Sequence, residues 1–292
     1  VARPFPLVLA WLGGAAASGA GLLALYALVV WARLPDPAEL PATGDPGPTA
    51  FMAGDGCSAH DRSFRPLAEI DPRLICTVVW SEDWQFFHHD GVDRDALRGA
   101  LERNWEARDW QLGGSTITMQ LARNLYLSRA RTPSRKAAEL AIARRLDDAW
   151  DKDRLLELYL SAAEWAPCVY GVDAAARHYF GHGADRVDLA EATFLAAMLP
   201  RPSRPPAADR RDRIGLVRTQ QRLLRRLSRT GLMTRDELLA GQRAILDAWS
   251  DGWRGHEPAP PGPGWDRWRA LTCGARHFRG GRLVEEKGQS FE

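Results

Sequence analysis

Glu82 is placed for proton transfer. It stands in Ser81-Glu82-Asp83-Trp84-Gln85-Phe86-Phe87-His88-His89-Asp90-Gly91, at the close of a helix that the spacing starts at Pro72. Three and four residues after Val79 and Val78, it shares their apolar side. A carboxyl at the edge of an apolar face has a raised pKa, which suits a general base near neutrality; a solvated Glu at a helix end is the plainer alternative. The side chains of His88, His89 and Asp90 diverge because they are adjacent, so a loop role suits them better than metal ligation.

A second segment, Gly113-Gly114-Ser115-Thr116-Ile117-Thr118, runs into a helical pattern containing Gln120 and Arg123. Glycines and hydroxyls before a helix can cradle an anion against backbone N–H groups, and Arg123 adds a permanent cation. The same pattern is also a common loop-to-helix start. In a third segment Glu139 follows Arg135 by four residues and Lys136 by three, and Ile142 and Leu146 continue that face. Such a pair ordinarily supports a solvent-facing helix. Two further runs, Lys152–Leu160 with Gly171–Gly181, and Ala190–Pro202, read as core helices.

These segments need helices to hold them. Asp71-Pro72 and Thr132-Pro133 each give an N-cap with Pro at the first helical position. Asp93 caps another helix, and Asp188 with Glu191 and Thr234 with Glu237 read as capping boxes. Apolar residues recur at helical spacing while period-2 runs are scarce, so the fold class is mainly α.

The boundaries follow composition: a membrane anchor over 1–33, a linker over 34–60, a catalytic domain over 61–248, and a Gly/Pro/Arg-rich tail over 249–292. From Pro4 to Ala32 no residue is charged, and the stretch is long enough to span a bilayer as a helix. A cleaved signal peptide is the rival reading, but the apolar run continues past the small residues at Ala15–Ala20. Net charge +2 gives no reason to expect nucleic acid as partner. The arginine-dense run 201–229 carries an apolar stripe (Leu216, Leu223, Leu224, Leu227) and reads as a solvated helical face near anionic lipid. The scattered cysteines Cys57, Cys76, Cys168 and Cys273 indicate neither a zinc ribbon nor a disulfide scaffold.

Taken in order, the five segments resemble the peptidoglycan glycosyltransferase family, over about residues 65 to 205. The first family motif is matched by Glu82, Asp83, Phe86, His89 and Gly91. The second is matched by Gly113 to Thr118 with Gln120, and the third by Arg135, Lys136 and Glu139. The resemblance implies a lysozyme-like helical domain that polymerises lipid II into β-1,4-linked glycan strands. Glu82 would deprotonate the acceptor 4-hydroxyl, the donor anomeric carbon would invert, and undecaprenyl diphosphate would leave. Glu139 is implied as the second active-site carboxylate. Asp83, Phe86, His89, Gly113, Gly114, Ser115, Thr116, Gln120, Arg123, Arg131, Arg135 and Lys136 are implied as substrate-binding residues. Some family members use Mg or Mn.

The resemblance also implies an inner-membrane protein with its domain on the periplasmic face, with division or elongation proteins as partners. Trp84, Phe86, Phe87, Trp105, Trp110 and Leu112 are then candidates to dip into the lipid interface. An oxidising compartment leaves open whether Cys57 and Cys76 are joined. The sequence departs from the family pattern at Met119, Arg123, Ser161 and Ala166, which bear on the rate. The absence of Ser-x-x-Lys with a later Lys-Thr-Gly points to a monofunctional enzyme without transpeptidase activity. A glycan-cleaving enzyme lacks need of a diphosphate site; a catalytically weak scaffold is the alternative that Ser161 and Ala166 keep open.

Overall fold

The computed structural model describes residues 34–108, 113–130, 132–200, 211–230 and 233–253, with isolated positions elsewhere. Nearly all of the expected anchor, Trp110, Leu112, Arg131, and most of 249–292 lie outside the described residues. Among the described residues no helix is long and apolar enough to cross a membrane.

A short helix α1 (Ala50–Ala53) and strand β1 (Asp61–Arg62) precede α2 (Pro72–Glu82), α3 (Arg94–Ala107), α4 (Ile117–Tyr126), α5 (Pro133–Ala149) and α6 (Lys152–Ala162). A hairpin of β2 (Glu164–Ala166) and β3 (Val169–Tyr170) leads to α7 (Val172–Phe180), α8 (Leu189–Met198), α9 (Arg210–Arg229) and α10 (Arg235–Asp251). β1 joins β3 in parallel, with Asp61 opposite Val169. β4 (Phe278–Arg279) and β5 (Arg282–Leu283) form a separate antiparallel pair. The chain is mainly helical, as expected.

Helices start where the sequence placed their caps. Asp71, Asp93, Thr132, Asp188 and Thr234 each accept a first-turn backbone N–H, and the two capping boxes are complete. Each such cap is worth about 1 kcal/mol. α2 and α8 are apolar on most sides, so they pack centrally against one another, with α9 and α10 also against α8. The fully buried Gln220 of α9 donates to Ala190 O at 3.0 Å and accepts from Trp249 Nε1 at 2.7 Å. One amide thereby joins α8, α9 and α10. Leu224 and Leu227 are buried beside it while Arg211, Arg218, Arg222, Arg225 and Arg229 are exposed, the solvated face read from the sequence.

Two boundaries move. Residues 50–60, read as linker from their composition, are folded: Thr49 caps α1, Met52 is buried, and Cys57 is disulfide-bonded to Cys168. The tail boundary at 248 falls inside α10, and Trp253 packs its ring 4.5 Å from Phe194 and 5.7 Å from Phe180. In both places a few buried side chains outweigh a Pro- and Gly-rich composition.

The disulfide joins residues 111 apart in sequence, with Cα atoms 5.9 Å apart. Cross-linking so long a loop removes much of the unfolded chain's freedom. We expect Cys57→Ser with Cys168→Ser to lose about 3 kcal/mol. Thermal melts should then show a midpoint lower by roughly 6–12 °C.

Candidate active site

Glu82 ends α2. Its Oε2 accepts from Gln120 Nε2 at 3.0 Å, and its Oε1 from Ser81 Oγ at 3.3 Å. The buried Tyr159 of α6 donates its O–H to Gln120 Oε1 at 3.1 Å, which turns the amide nitrogen towards Glu82. Burial pushes the Glu82 carboxyl above its ordinary range; the two hydrogen bonds and the charge of Arg123 pull against it, and Asp83 reinforces it. Among the described residues Glu82 has no ion-pair partner. It is a carboxylate able to take a proton.

Its neighbour Asp83 faces the other way. Asp83 Oδ2 accepts from the backbone N–H of Ile117 at 2.9 Å and lies 3.0 Å from His89 Nε2. Thr116 accepts from Met119 N at 3.1 Å and donates to Gly91 O at 2.6 Å. Protein oxygens therefore take the N–H groups of Ile117 and Met119 in the first turn of α4, and Asp83 supplies the negative charge that the helix dipole favours there.

The glycines serve close approach instead. A Cβ on Gly114 would lie 2.9 Å from Leu97 Cα on α3, and one on Gly91, at φ +77°, would lie 2.6 Å from Ala143 O on α5. Phe86 is 0% exposed, with Lys152 Nζ 4.8 Å from its ring centre. Asp83, Phe86, His89, Gly114 and Thr116, expected to bind substrate, are held to one another and to the helices around Glu82. A buried carboxylate and hydroxyl beside orphan N–H groups are more stable paired than pointing at a ligand.

Glu139 is also unlike its simplest reading. It is 1% exposed, and accepts from Arg135 Nη1 at 2.5 Å and Lys136 Nζ at 2.6 Å. Lys136 Nζ also donates to Ser115 Oγ at 2.7 Å. The i,i+4 pair lies on the inward face because Ile142 and Leu146 on that same face are fully buried.

Arg123 of α4 ties these parts together. Burial lowers its pKa, and Glu139 and Glu82 both act on its charge, so the two carboxylates share one site. Its guanidinium nevertheless makes no hydrogen bond or ion pair among the described residues, and its Nε is buried without a partner. A desolvated cation with open donors fits an oxyanion. Gln120, Arg123, Ser115, Arg135 and Lys136 are thus gathered with the two carboxylates, Gly113 is an exposed loop residue, and Arg131 lies outside the described residues.

The departures in sequence are absorbed. Met119 is fully buried, so its side of α4 faces the core while Gln120 faces Glu82. Ser161 Oγ donates to Glu157 O at 2.8 Å, and Ala166 pairs with Val169 in the hairpin.

Sequence reasoning missed Tyr159, Phe51 and Arg129. Tyr159 lay in an apolar stripe, and its hydroxyl, which needs a partner when buried, was the available signal. Phe51 lay in the supposed linker; its ring centre is 5.5 Å from the Arg123 guanidinium and 3.9 Å from that of Arg129.

The family described as Transglycosylase matches residues 50–227. A "Biosynthetic peptidoglycan transglycosylase" of Rhodospirillum centenum is 38% identical over 211 residues, covering 71% of this chain and 90% of the relative. One of the same name from Bordetella pertussis is 41% identical over 190 residues, 61% of this chain and 75% of the relative. Another, from Alcanivorax borkumensis, is 48% identical over 142 residues, 49% of this chain and 58% of the relative.

Proposed function

This chain belongs to the transglycosylase family, and on that premise we propose that Glu82 is the general base of its glycosyl transfer. The protein is a peptidoglycan glycosyltransferase that polymerises glycan strands. The observation that carries the assignment of roles is a desolvated carboxylate, Glu82, beside a buried guanidinium, Arg123, neither of which has an ion-pair partner among the described residues.

Glu82 takes the proton from the 4-hydroxyl of the N-acetylglucosamine of lipid II. That oxygen attacks the anomeric carbon of the growing strand's terminal N-acetylmuramic acid from the face opposite the leaving group. The bond to the phosphate oxygen breaks, undecaprenyl diphosphate departs, and inversion gives the β-1,4 linkage. Gln120, fixed by Tyr159, holds the Glu82 carboxylate in place. Arg123, with Arg135 and Lys136 beside it, meets the charge that develops on the diphosphate. Glu139 acts by holding Arg135 and Lys136.

Asp55, Cys57 and His60 are the one group among the described residues close enough to share an ion, and the Cys57 sulfur is in the disulfide. Polymerisation of labelled lipid II by the full chain tests the reading: glycan strands are expected, and folded protein yielding none would overturn it.

The helical frame with a glutamate at a helix end supports a lysozyme-like arrangement. The reading also places the domain on the periplasmic face of the inner membrane, held by the apolar run Pro4–Ala32. Supporting it, Trp105 is 78% and Leu101 50% exposed on α3, and Trp84, two residues after Glu82, is 41% exposed. Phe86 is removed from the lipid-facing set by its burial. Trp105→Ser with Leu101→Ser should slow polymerisation of liposome-held lipid II while leaving the rate on detergent-dispersed lipid II nearly unchanged. Equal rates on both would sink the membrane reading.

A further inference from the structure

Arg123 has carboxylates around it yet pairs with none, and we infer that Phe51 is the positioning residue that keeps its donors open for the diphosphate. The inference rests on the proposed role of Arg123.

Glu82 and Glu139 act on the charge of Arg123, and Arg123 in turn acts on Glu164. None of the three forms an ion pair with it among the described residues. An arginine free to move would settle on one of them, and its donors would then be closed to a substrate oxyanion. An aromatic face attracts a cation without accepting a conventional hydrogen bond, so it can seat a guanidinium while leaving its N–H groups available. Phe51 lies at that distance, 5.5 Å from its ring centre to the Arg123 guanidinium carbon.

The second arginine over the ring shows the contrast. Arg129 lies 3.9 Å from the centre of Phe51, but its Nη2 is engaged by Glu164 at 3.0 Å and by Tyr170 Oη at 2.8 Å. One ring therefore carries a neutralised guanidinium and an open one. Arginine at position 123 suits this seat, because a planar guanidinium stacks on an aromatic face better than a compact ammonium.

Phe51 is itself held in place. The Asp55 carboxylate accepts from Tyr170 Oη at 2.6 Å and Cys57 N at 2.8 Å, and lies 2.9 Å from His60 Nε2. The bond from Cys57 to Cys168 fastens the same segment to the β2–β3 hairpin. The Tyr170 hydroxyl donates to Asp55 and accepts from Arg129, so a single group links the ring's support to the arginine above it.

The test uses the full chain in detergent, with kcat/KM on labelled lipid II, inhibition by inorganic diphosphate, and thermal melts. Phe51→Leu should lower kcat/KM and weaken diphosphate inhibition by roughly tenfold each, between the sizes of an exposed and a desolvated cation–π contact. Phe51→Trp should restore both. On an Arg123→Gln background, which weakens diphosphate inhibition by itself, Phe51→Leu should add nothing further. Should Phe51→Leu fail to fold, Phe51→Met keeps the volume without the aromatic face and should show the same losses. Unchanged diphosphate inhibition in the Phe51 variants, or losses that add to those of Arg123→Gln, would overturn the inference alone. Unchanged inhibition in Arg123→Gln itself would overturn the role of Arg123, and the inference with it.

Discussion

Glu82→Gln lowers glycan polymerisation by about 10²- to 10⁴-fold, the loss typical of a missing general base, while raising the melting temperature. Glutamine keeps the size of the side chain and can still bond Gln120, so the frame of Asp83, His89 and Thr116 is undisturbed. Burial raises the folded-state pKa of Glu82, so the native protein holds its proton more tightly than the unfolded chain does. The resulting stability is present below the unfolded pKa and lost as pH rises through the folded one. The amide that replaces the carboxyl does not titrate. The melting temperature of the variant should therefore pull ahead of the wild type as pH rises through and above the carboxylate range. Wild-type activity should rise with pH over that interval, as the base becomes ionised. Polymerisation assays and melts across pH check both halves; a variant less stable than wild type at neutral pH would show that Glu82 holds the fold together instead.

Glu139→Gln is expected to fail differently, losing activity and stability together. Its carboxylate is the acceptor for Arg135 and Lys136, and removal leaves two cations near a third, Arg123, without compensation. Breaking a fully buried pair costs about 3–5 kcal/mol. Arg135 and Lys136 are partly exposed (16% and 34% of their side chains). Solvent screening therefore brings the expected cost to about 2 kcal/mol. The melting temperature should fall by roughly 4–8 °C. Activity should fall by about 10²-fold, because cations displaced by an ångström no longer meet the departing diphosphate. A variant that loses activity with no change in melting temperature would move Glu139 from holding cations to acting on the reacting atoms.

The contrast between these glutamates separates what could be read from the chain and what could not. For Glu82, Val78 and Val79 put its side of the helix towards apolar surroundings, a matter of spacing within one turn, but only the order of the five motifs singled it out. For Glu139 the same spacing argument pointed to solvent, and only the packing of α5 showed its face turned inward. At Gly113–Thr118 the local pattern was sound, since Thr116 does cap a helix. The partner of its first N–H, on Ile117, was out of view because Asp83 comes from a different segment.

Caps, helical periodicity and the order of the motifs lie within short stretches of chain. The sequence by itself therefore determined the mainly helical class, the helix starts and the family, and it singled out Glu82 as the candidate base. Only the tertiary structure decided that Asp83 accepts from the start of α4, that Cys57 bonds Cys168, and that Phe51 sits beneath Arg123. Each of these depends on two segments distant in sequence arriving at one place. Burial there changes which partner a charge or a ring prefers, and no local pattern carries that information.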